Sequence, residues 1–162
     1  MAKSTRPAKK PHPLLKKADI DKLKETAFQH RLNKNAVRHT RALGKAVGMT
    51  QLGVHLVRLE PGRDSTEFHF HHSEEEFVYI LSGRGETDIG GQTRLVEPGD
   101  FMGFSAPSLP HILRNPFDED LIYLVGGQSL NHDVTEYPRV GKTMYKVAGE
   151  RHVVKYRHIE KF

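Results

Sequence analysis

From about residue 50 onward, apolar side chains alternate with polar ones in short runs, and most runs end at a turn that contains glycine or proline. Successive side chains of a β-strand point to opposite faces, so this alternation predicts strands with one face toward a core. The runs lie at 53–60, 67–71, 76–81, 84–89, 92–97, 101–104, 111–114 and 121–125. Many short strands at even spacing predict an all-β sandwich or barrel. Gly90-Gly91 suits a two-residue hairpin turn, because both central positions need a positive φ.

The ends of the chain lack this alternation. The contrast predicts a flexible basic arm at 1–17, an N-terminal extension that packs on the barrel at 18–49, the barrel at 50–138 and a C-terminal extension at 139–162. A short helix is predicted from Asp19, which would cap it, with Ile20, Leu23 and Ala27 near one face. The run at 152–159 predicts one additional strand.

Charge is divided unevenly along the chain. The 162 residues are 36% hydrophobic and carry a formal net charge of +5, which fits one domain with a single core. Six Lys/Arg and no acid lie in 1–17, and seven Lys/Arg with two acids lie in 139–162, which leaves residues 18–138 at −6. Nucleic-acid-binding proteins usually carry a basic face on the folded domain, so nucleic acid is not an expected partner.

Several classes of protein are excluded by what the sequence lacks. No run approaches the ~18 apolar residues of a membrane span, so no membrane partner is expected. No apolar stretch follows the basic N-terminus, so no secretory signal is expected. Cysteine is absent, which excludes disulfides and thiolate metal sites and fits a cytoplasmic location.

The segment from Glu67 to Glu76 holds the richest chemistry of the chain. On a strand His69 and His71 share one face, and their imidazoles can tilt onto one ion at bond lengths of ~2.1 Å. Glu76 opens the next strand, which lies ~4.8 Å away, so its carboxylate can reach the same ion. These three side chains form the nucleus of a predicted metal site.

A fourth ligand is expected from His111, which begins a later strand after the turn at 107–110. In a closed barrel, residues far apart in sequence line one interior. Three imidazoles and one carboxylate form a donor set that suits Fe, Mn, Ni, Cu or Zn better than Ca or Mg. We expect one divalent transition metal ion, with Zn, Fe, Mn and Ni as the leading candidates.

The spacing of these residues resembles the motifs of the cupin superfamily. His-x-His-x₄-Glu-x₆-Gly is matched in full by His69, His71, Glu76 and Gly83, although six residues rather than five separate Gly62 from His69. In the second motif, His-x₃-Asn is matched by His111 and Asn115, whereas Ala106 and Ser108 stand where the family has Pro and Gly.

The resemblance covers roughly residues 50–127 and implies a small antiparallel jelly-roll barrel. It also implies that His69, His71, Glu76 and His111 ligate a metal inside one end of that barrel. The tail residues Asp133-Val134, Tyr137-Pro138 and Gly141-Lys142 are similar to a bacterial subgroup of single-domain cupins that is called sugar-phosphate isomerase-like. Fold alone does not fix chemistry, so this label is an analogy.

Alternatives stay open for several side chains. A slip of one residue would make Glu75 the ligand in place of Glu76, with Glu74 and Glu75 otherwise solvated in the turn. A metal-free cupin would use the same residues as a polar hydrogen-bonded network. His72 is expected to face away from the site, and Asn115 to bond the backbone. His55 and Arg58 lie on opposite faces of one strand, so one of the two faces inward.

Three classes of function follow. The first is a metal-dependent enzyme acting on a sugar, sugar phosphate or keto acid, isomerase-like, or with ferrous iron a dioxygenase. The second is a module that binds a small ligand or regulates a partner without turnover. The third gives the basic arm a nucleic-acid role, and it ranks last because one short helix is too little for a helix-turn-helix. A homodimer is expected, because open sheet edges need covering.

Overall fold

The computed structural model describes residues 11–160 and 162, and it is built mainly of antiparallel strands. The strands are β1 (Thr26–Gln29), β2 (Val37–Ala42), β3 (Leu52–Leu59), β4 (Phe70–His71), β5 (Glu76–Ser82), β6 (Gly85–Ile89), β7 (Gln92–Val96), β8 (Phe101–Phe104), β9 (His111–Arg114), β10 (Leu121–Gln128), β11 (Asp133–Tyr137), β12 (Lys142–Val147) and β13 (Glu150–Lys155). The helices are α1 (Lys17–Lys22) and α2 (Leu43–Ala46), with 3₁₀ turns at Pro138–Val140 and Tyr156–His158. No helix of the described residues is long and apolar enough to cross a membrane.

The strands form one large sheet and two smaller ones. The large sheet has the order β1-β2-β3-β10-β5-β8, and the smaller sheets have the orders β13-β12-β11-β4 and β7-β6-β9. An antiparallel bridge between His69 and His111 connects β4 of one small sheet to β9 of the other. This arrangement is the antiparallel jelly-roll barrel that the sequence predicts.

The core lies between the large sheet and the smaller ones. Its buried cluster is Val57, Leu59, Val78, Ile80, Val96, Met102, Phe104, Leu113, Leu121 and Tyr123. Along β3 and β5 these side chains recur at every second position, as the pleat of a strand requires. The alternation in the sequence therefore marks the inner face of the barrel.

The predicted turn at Gly90-Gly91 is confirmed, since the two residues have φ of 61° and 87° and join β6 to β7. The runs from 53–60 to 121–125 are found as strands, although the run at 67–71 is a strand only at Phe70–His71. The strand predicted at 152–159 is found only in its first half, because β13 ends at Lys155 and a 3₁₀ turn follows.

The helix predicted from Asp19 exists, but two of its details are wrong. It begins at Lys17, its N-cap is Lys16, and no side chain caps it. Ala27 lies in β1 rather than on a helix face. The predicted arm at 1–17 falls mostly outside the described residues. The predicted extension at 18–49 contains β2, which pairs with β3 and so widens the large sheet.

Candidate metal centre

The four predicted ligands line one cavity inside the barrel. The ligand atoms of His69, Glu76 and His111 all lie within 4.8 Å of one another, whereas His71 groups in the same way with Glu74 and Asp133. His69 and His111 exchange backbone hydrogen bonds, with N–H to O distances of 3.1 and 2.8 Å. His71 lies two residues further along, and its ring centroid is 5.1 Å from that of His69. Glu76, the first residue of β5, brings a carboxylate from the opposite sheet. The bridge between His69 and His111 brings these two imidazoles side by side.

The three Nε2 atoms face one carboxylate oxygen. Glu76 Oε2 lies 3.5 Å from Nε2 of His111, 3.9 Å from Nε2 of His69 and 4.0 Å from Nε2 of His71. These distances are longer than good hydrogen bonds. Ligand atoms at ~2.1 Å from a common ion and at tetrahedral angles would lie ~3.4 Å apart, so the spacing suits a transition metal ion.

Each imidazole is held through its other nitrogen. Nδ1 of His69 lies 2.9 Å from the carbonyl oxygen of Glu67, and Nδ1 of His111 lies 3.0 Å from that of Leu109. A carbonyl oxygen only accepts hydrogen bonds, so both Nδ1 atoms carry the proton and both Nε2 atoms present a lone pair. Metal-ligating histidines are oriented in this way in proteins.

His71 is held by a carboxylate instead. Its Nδ1 lies 2.6 Å from Asp133 Oδ2, and the other oxygen of Asp133 accepts hydrogen bonds from the backbone N–H groups of Ser73 and Glu74. Thr135 also donates to Asp133. Asp133 is the residue of this site whose role sequence reasoning missed. The sequence feature that could have pointed to it is the two-residue spacing of Asp133 and Thr135, which places both polar side chains on one face of a strand.

The pKa values of the ligands reflect this environment. Burial lowers the pKa of His69 to about 3, so its imidazole is neutral at neutral pH. Burial opposes ionisation of Glu76, whereas the hydrogen bond from His111 and the charges of the three imidazoles, in their protonated forms, lower its pKa to about 2. Burial also acts to lower the pKa of His71, yet the hydrogen bond to Asp133 and the nearby carboxylates raise it overall.

Aromatic rings enclose the site. The ring of Phe104 stacks on His111 with centroids 3.5 Å apart, and Tyr137 stacks on His69 at 6.1 Å. A cavity of about 1070 Å³ opens in front of the four predicted ligands. It is large enough for a small organic substrate.

The acidic turn beside the site resolves the choice between Glu75 and Glu76. Glu75 is exposed, and its backbone N–H donates to Gln128, so Glu75 is not the converging carboxylate. The expectation that Glu74 is solvated is wrong: its carboxylate is 2.8 Å from Nζ of Lys146, and both side chains are largely buried. The ion pair with Lys146 holds Glu74 at the barrel wall. The spacing of residues in the sequence does not show this pairing.

Other predicted residues lie where the pattern places them. His72 is half exposed and its Nε2 lies 3.6 Å from Glu136. Asn115 is buried and donates to the carbonyl oxygens of Leu59 and Glu119 at 2.8 and 2.7 Å. On β3 His55 lines the cavity, whereas Arg58 points outward and pairs with acidic side chains.

The fold and the site together define a small antiparallel β-barrel with a histidine–glutamate cluster in its interior. Residues 55–127 match the family model described as Cupin domain. The chain is similar to the crystal structure of a "Putative sugar phosphate isomerase" from Acidithiobacillus ferrooxidans, with 41% identity, a TM-score of 0.90 and coverage of 92% of this chain and 96% of that chain. The chain belongs to the cupin superfamily.

Two further relatives differ in what they cover. A sugar phosphate isomerase from a cupin superfamily, from Silicibacter pomeroyi, shares 27% identity at a TM-score of 0.78, with 89% of this chain and 95% of that chain covered. The polyketide synthase CurC from Streptomyces cyaneus is 35% identical over 101 residues, or 58% of this chain. The chain spans 64% of the length of that curated relative.

Proposed function

We propose that the protein is a metal-dependent enzyme that acts on a small oxygen-rich substrate, namely a sugar, a sugar phosphate or a keto acid, in an isomerase-like reaction. His69, His71, Glu76 and His111 would hold one divalent transition ion, with Zn, Fe, Mn and Ni as candidates. The observation that carries the proposal is that the Nε2 atoms of three histidines lie within 4.0 Å of one oxygen of Glu76 at the wall of a cavity.

An ion of this kind acts as a Lewis acid toward a carbonyl or hydroxyl oxygen of the substrate. The protein's own residues supply orientation and proton transfer. Phe104 covers one face of His111 and keeps water from it. His55 lines the cavity outside the ligand set, and burial, with the charge of Arg38, lowers its pKa. A neutral imidazole at that position is the candidate proton acceptor.

The similar proteins favour an isomerase-like reaction over a dioxygenase or a binding module. Both structures described as sugar phosphate isomerases are covered almost from end to end, at 96% and 95% of their chains. The relative described as a polyketide synthase is covered over a smaller share, 64%. Sugar phosphates therefore lead the substrate panel, with sugars, keto acids and polyketide analogues after them.

Elemental analysis and reconstitution test the proposal. The purified chain is stripped with a chelator, loaded anaerobically with Fe(II), Mn(II), Ni(II) or Zn(II), and assayed against the panel. We expect one ion per chain, and loss of that ion in His69→Ala and His111→Ala. His72→Ala is the matched control, because His72 lies outside the cluster.

The outcomes separate the classes of function. Product formation with retained mass supports the isomerase, and consumption of O₂ by the ferrous form supports a dioxygenase instead. Thermal stabilisation by a substrate without any product supports a binding module. Absence of any stoichiometric ion after reconstitution contradicts the metal centre itself.

We also propose that the protein is a homodimer. On the outer face of the large sheet, Tyr79, Leu81 and Phe101 are 38%, 44% and 65% exposed. Phe101 lies on β8, which is an edge strand of that sheet. A second copy seated here would cover both the apolar side chains and the open edge.

A further inference from the structure

Arg38 is a cation on the cavity wall that has no acidic partner among the residues that the structure describes. It lies on β2 and lines the cavity that also holds His69 and His111. Its Nη1 donates to the carbonyl oxygen of Ser65 at 3.3 Å, while its Nε is buried without a hydrogen-bond partner. Among residues 11–160 and 162, no carboxylate oxygen lies within 4.0 Å of its guanidinium.

The neighbouring arginines of the same sheet differ from Arg38 in having acidic partners, although Nε of Arg41 is also buried without a hydrogen-bond partner in the described part of the chain. Arg41 lies three residues along β2, on the other face, and its Nη2 is 3.4 Å from Glu25. Arg58 on β3 reaches Glu25 at 2.9 Å and Glu60 at 3.1 Å. The outward-facing arginines are therefore neutralised by acids of this chain, whereas the inward-facing Arg38 is not.

The surroundings of Arg38 are neutral or aromatic. Its guanidinium lies 5.2 Å from the ring centroid of Phe28. His55 lines the same cavity, and so does Tyr123, whose hydroxyl is buried without a hydrogen-bond partner in the part of the chain described. A half-buried cation that lacks a counter-charge is unfavourable unless a ligand supplies one.

Three more basic residues on the wall of the same cavity also lack an acidic partner. They are Arg31, Lys142 and Arg151, and within the described ranges none of them has a carboxylate oxygen within 4.0 Å. The acids that line the cavity lie in the segment Glu74–Glu76, where Glu74 pairs with Lys146 and Glu76 faces the imidazoles. Positive charge is thus left without a partner away from the predicted ligands.

We propose that Arg38 binds an oxyanion group of the substrate, a phosphate or a carboxylate, in the cavity that contains the metal centre. The guanidinium fork matches both groups through paired N–H donors. The inference deepens the proposed function, since it specifies an anionic substrate whose other end would lie toward His69, His71, Glu76 and His111. Phe28 offers the guanidinium a cation–π contact, but among the described residues no acid supplies a full counter-charge.

Binding to the metal-free full-length chain tests the inference, because a loaded ion would bind phosphate by itself. Isothermal titration compares glucose, gluconate and glucose 6-phosphate, which share one carbon skeleton, together with inorganic phosphate. We expect glucose 6-phosphate or gluconate to bind at least about tenfold more tightly than glucose, as a charge-assisted pair implies. The preferred anion distinguishes phosphate from carboxylate.

Variants test whether Arg38 is the residue that binds the anion. Arg38→Met should weaken binding of the preferred anion about 10- to 100-fold, and Arg38→Lys should restore part of it. Arg41→Met is the matched control on the same strand and should bind as the parent does. If Arg38→Met does not fold, the affinities of the parent chain and of Arg38→Lys for glucose and its anionic analogues still test the role of Arg38.

Failure of this inference and failure of the proposed function give different results. Equal affinity of the parent chain for glucose and its anionic analogues, or unchanged affinity in Arg38→Met, overturns the role of Arg38 whatever the enzyme does. Binding through Arg38 without turnover by any metal-loaded form leaves the inference standing and removes the enzyme. Turnover of a sugar phosphate or keto acid with an unchanged KM in Arg38→Met removes the anion site and keeps the enzyme.

Discussion

Single side chains decide how the imidazoles of the candidate metal centre are oriented. That His69 and His71 share one face was predictable from their two-residue spacing, whereas the binding of one ion by His69, His71, Glu76 and His111 stays a prediction. The contact of Asp133 with His71 was not predictable, since it spans 62 residues and depends on β11 pairing with β4. Spacing within one segment carries no information about that pairing.

The His71–Asp133 contact yields a prediction on metal affinity. Asp133→Asn keeps the size of the side chain but removes the carboxylate that holds Nδ1 of His71 at 2.6 Å. We expect metal affinity to fall about 10- to 100-fold, as measured by competition with a chromophoric chelator. Glu136→Gln, on the same strand but facing His72, is the control and should bind metal normally. Equal affinities in both variants would contradict a supporting role for Asp133.

Asn115 yields a prediction on stability. Its buried amide donates to the carbonyl oxygens of Leu59 and Glu119, and its own oxygen accepts from the N–H of Phe117. Asn115→Ala leaves these groups unsatisfied, so we expect the free energy of unfolding to fall by about 2–4 kcal/mol in urea titrations. Asn131→Ala, at an exposed position, should change it by less than about 0.5 kcal/mol.

At the scale of elements, prediction succeeded where the alternation of side chains is complete and failed where it is not. Strands of the barrel core show apolar residues at every second position, as β3 does with Val57 and Leu59. β1 and β2 carry mostly polar residues, and they are strands because β2 pairs with β3 along the edge of the large sheet. Such tertiary pairing overrides local pattern and propensity.

An ion-pair network ties that edge together and gives a pH-dependent prediction. Glu25, next to β1, pairs with Arg58 on β3 and Arg41 on β2. The hydrogen bond from Arg58 lowers the pKa of Glu25 against the opposing effect of burial. Because the folded pKa lies below the unfolded one, the stabilisation is present above the unfolded pKa of ~4.3 and is lost as the pH falls through the folded value.

Glu25→Gln therefore lowers stability at pH 7 but not in acid. We expect a loss of about 1 kcal/mol at pH 7, the scale of a partly exposed ion-pair network. The difference from the parent chain should shrink to nearly zero by about pH 3. Urea unfolding of both proteins at a series of pH values measures this, and a difference that grows in acid would contradict the network.

At the scale of the whole molecule, the outer face of the large sheet carries the prediction of a dimer. Phe101 is 65% exposed on the edge strand β8, and its ring lies over Gly103 and stacks with Phe77. Phe101→Glu should shift the protein from dimer to monomer in sedimentation or light scattering, because it places a charge in an apolar contact. Val147→Glu, half exposed on β12, should leave the assembly unchanged. A parent chain that is monomeric at every concentration would refute the homodimer.

The two backbone hydrogen bonds between His69 and His111 have one more consequence. They lie where the two smaller sheets meet, and both residues that form them also offer an imidazole to the same point. An ion bound there would join the two sheets at that junction, so metal binding and closure of the barrel would be thermodynamically linked. Protection of these two amides against deuterium exchange should rise on loading, well beyond that of the amides of β12 and β13.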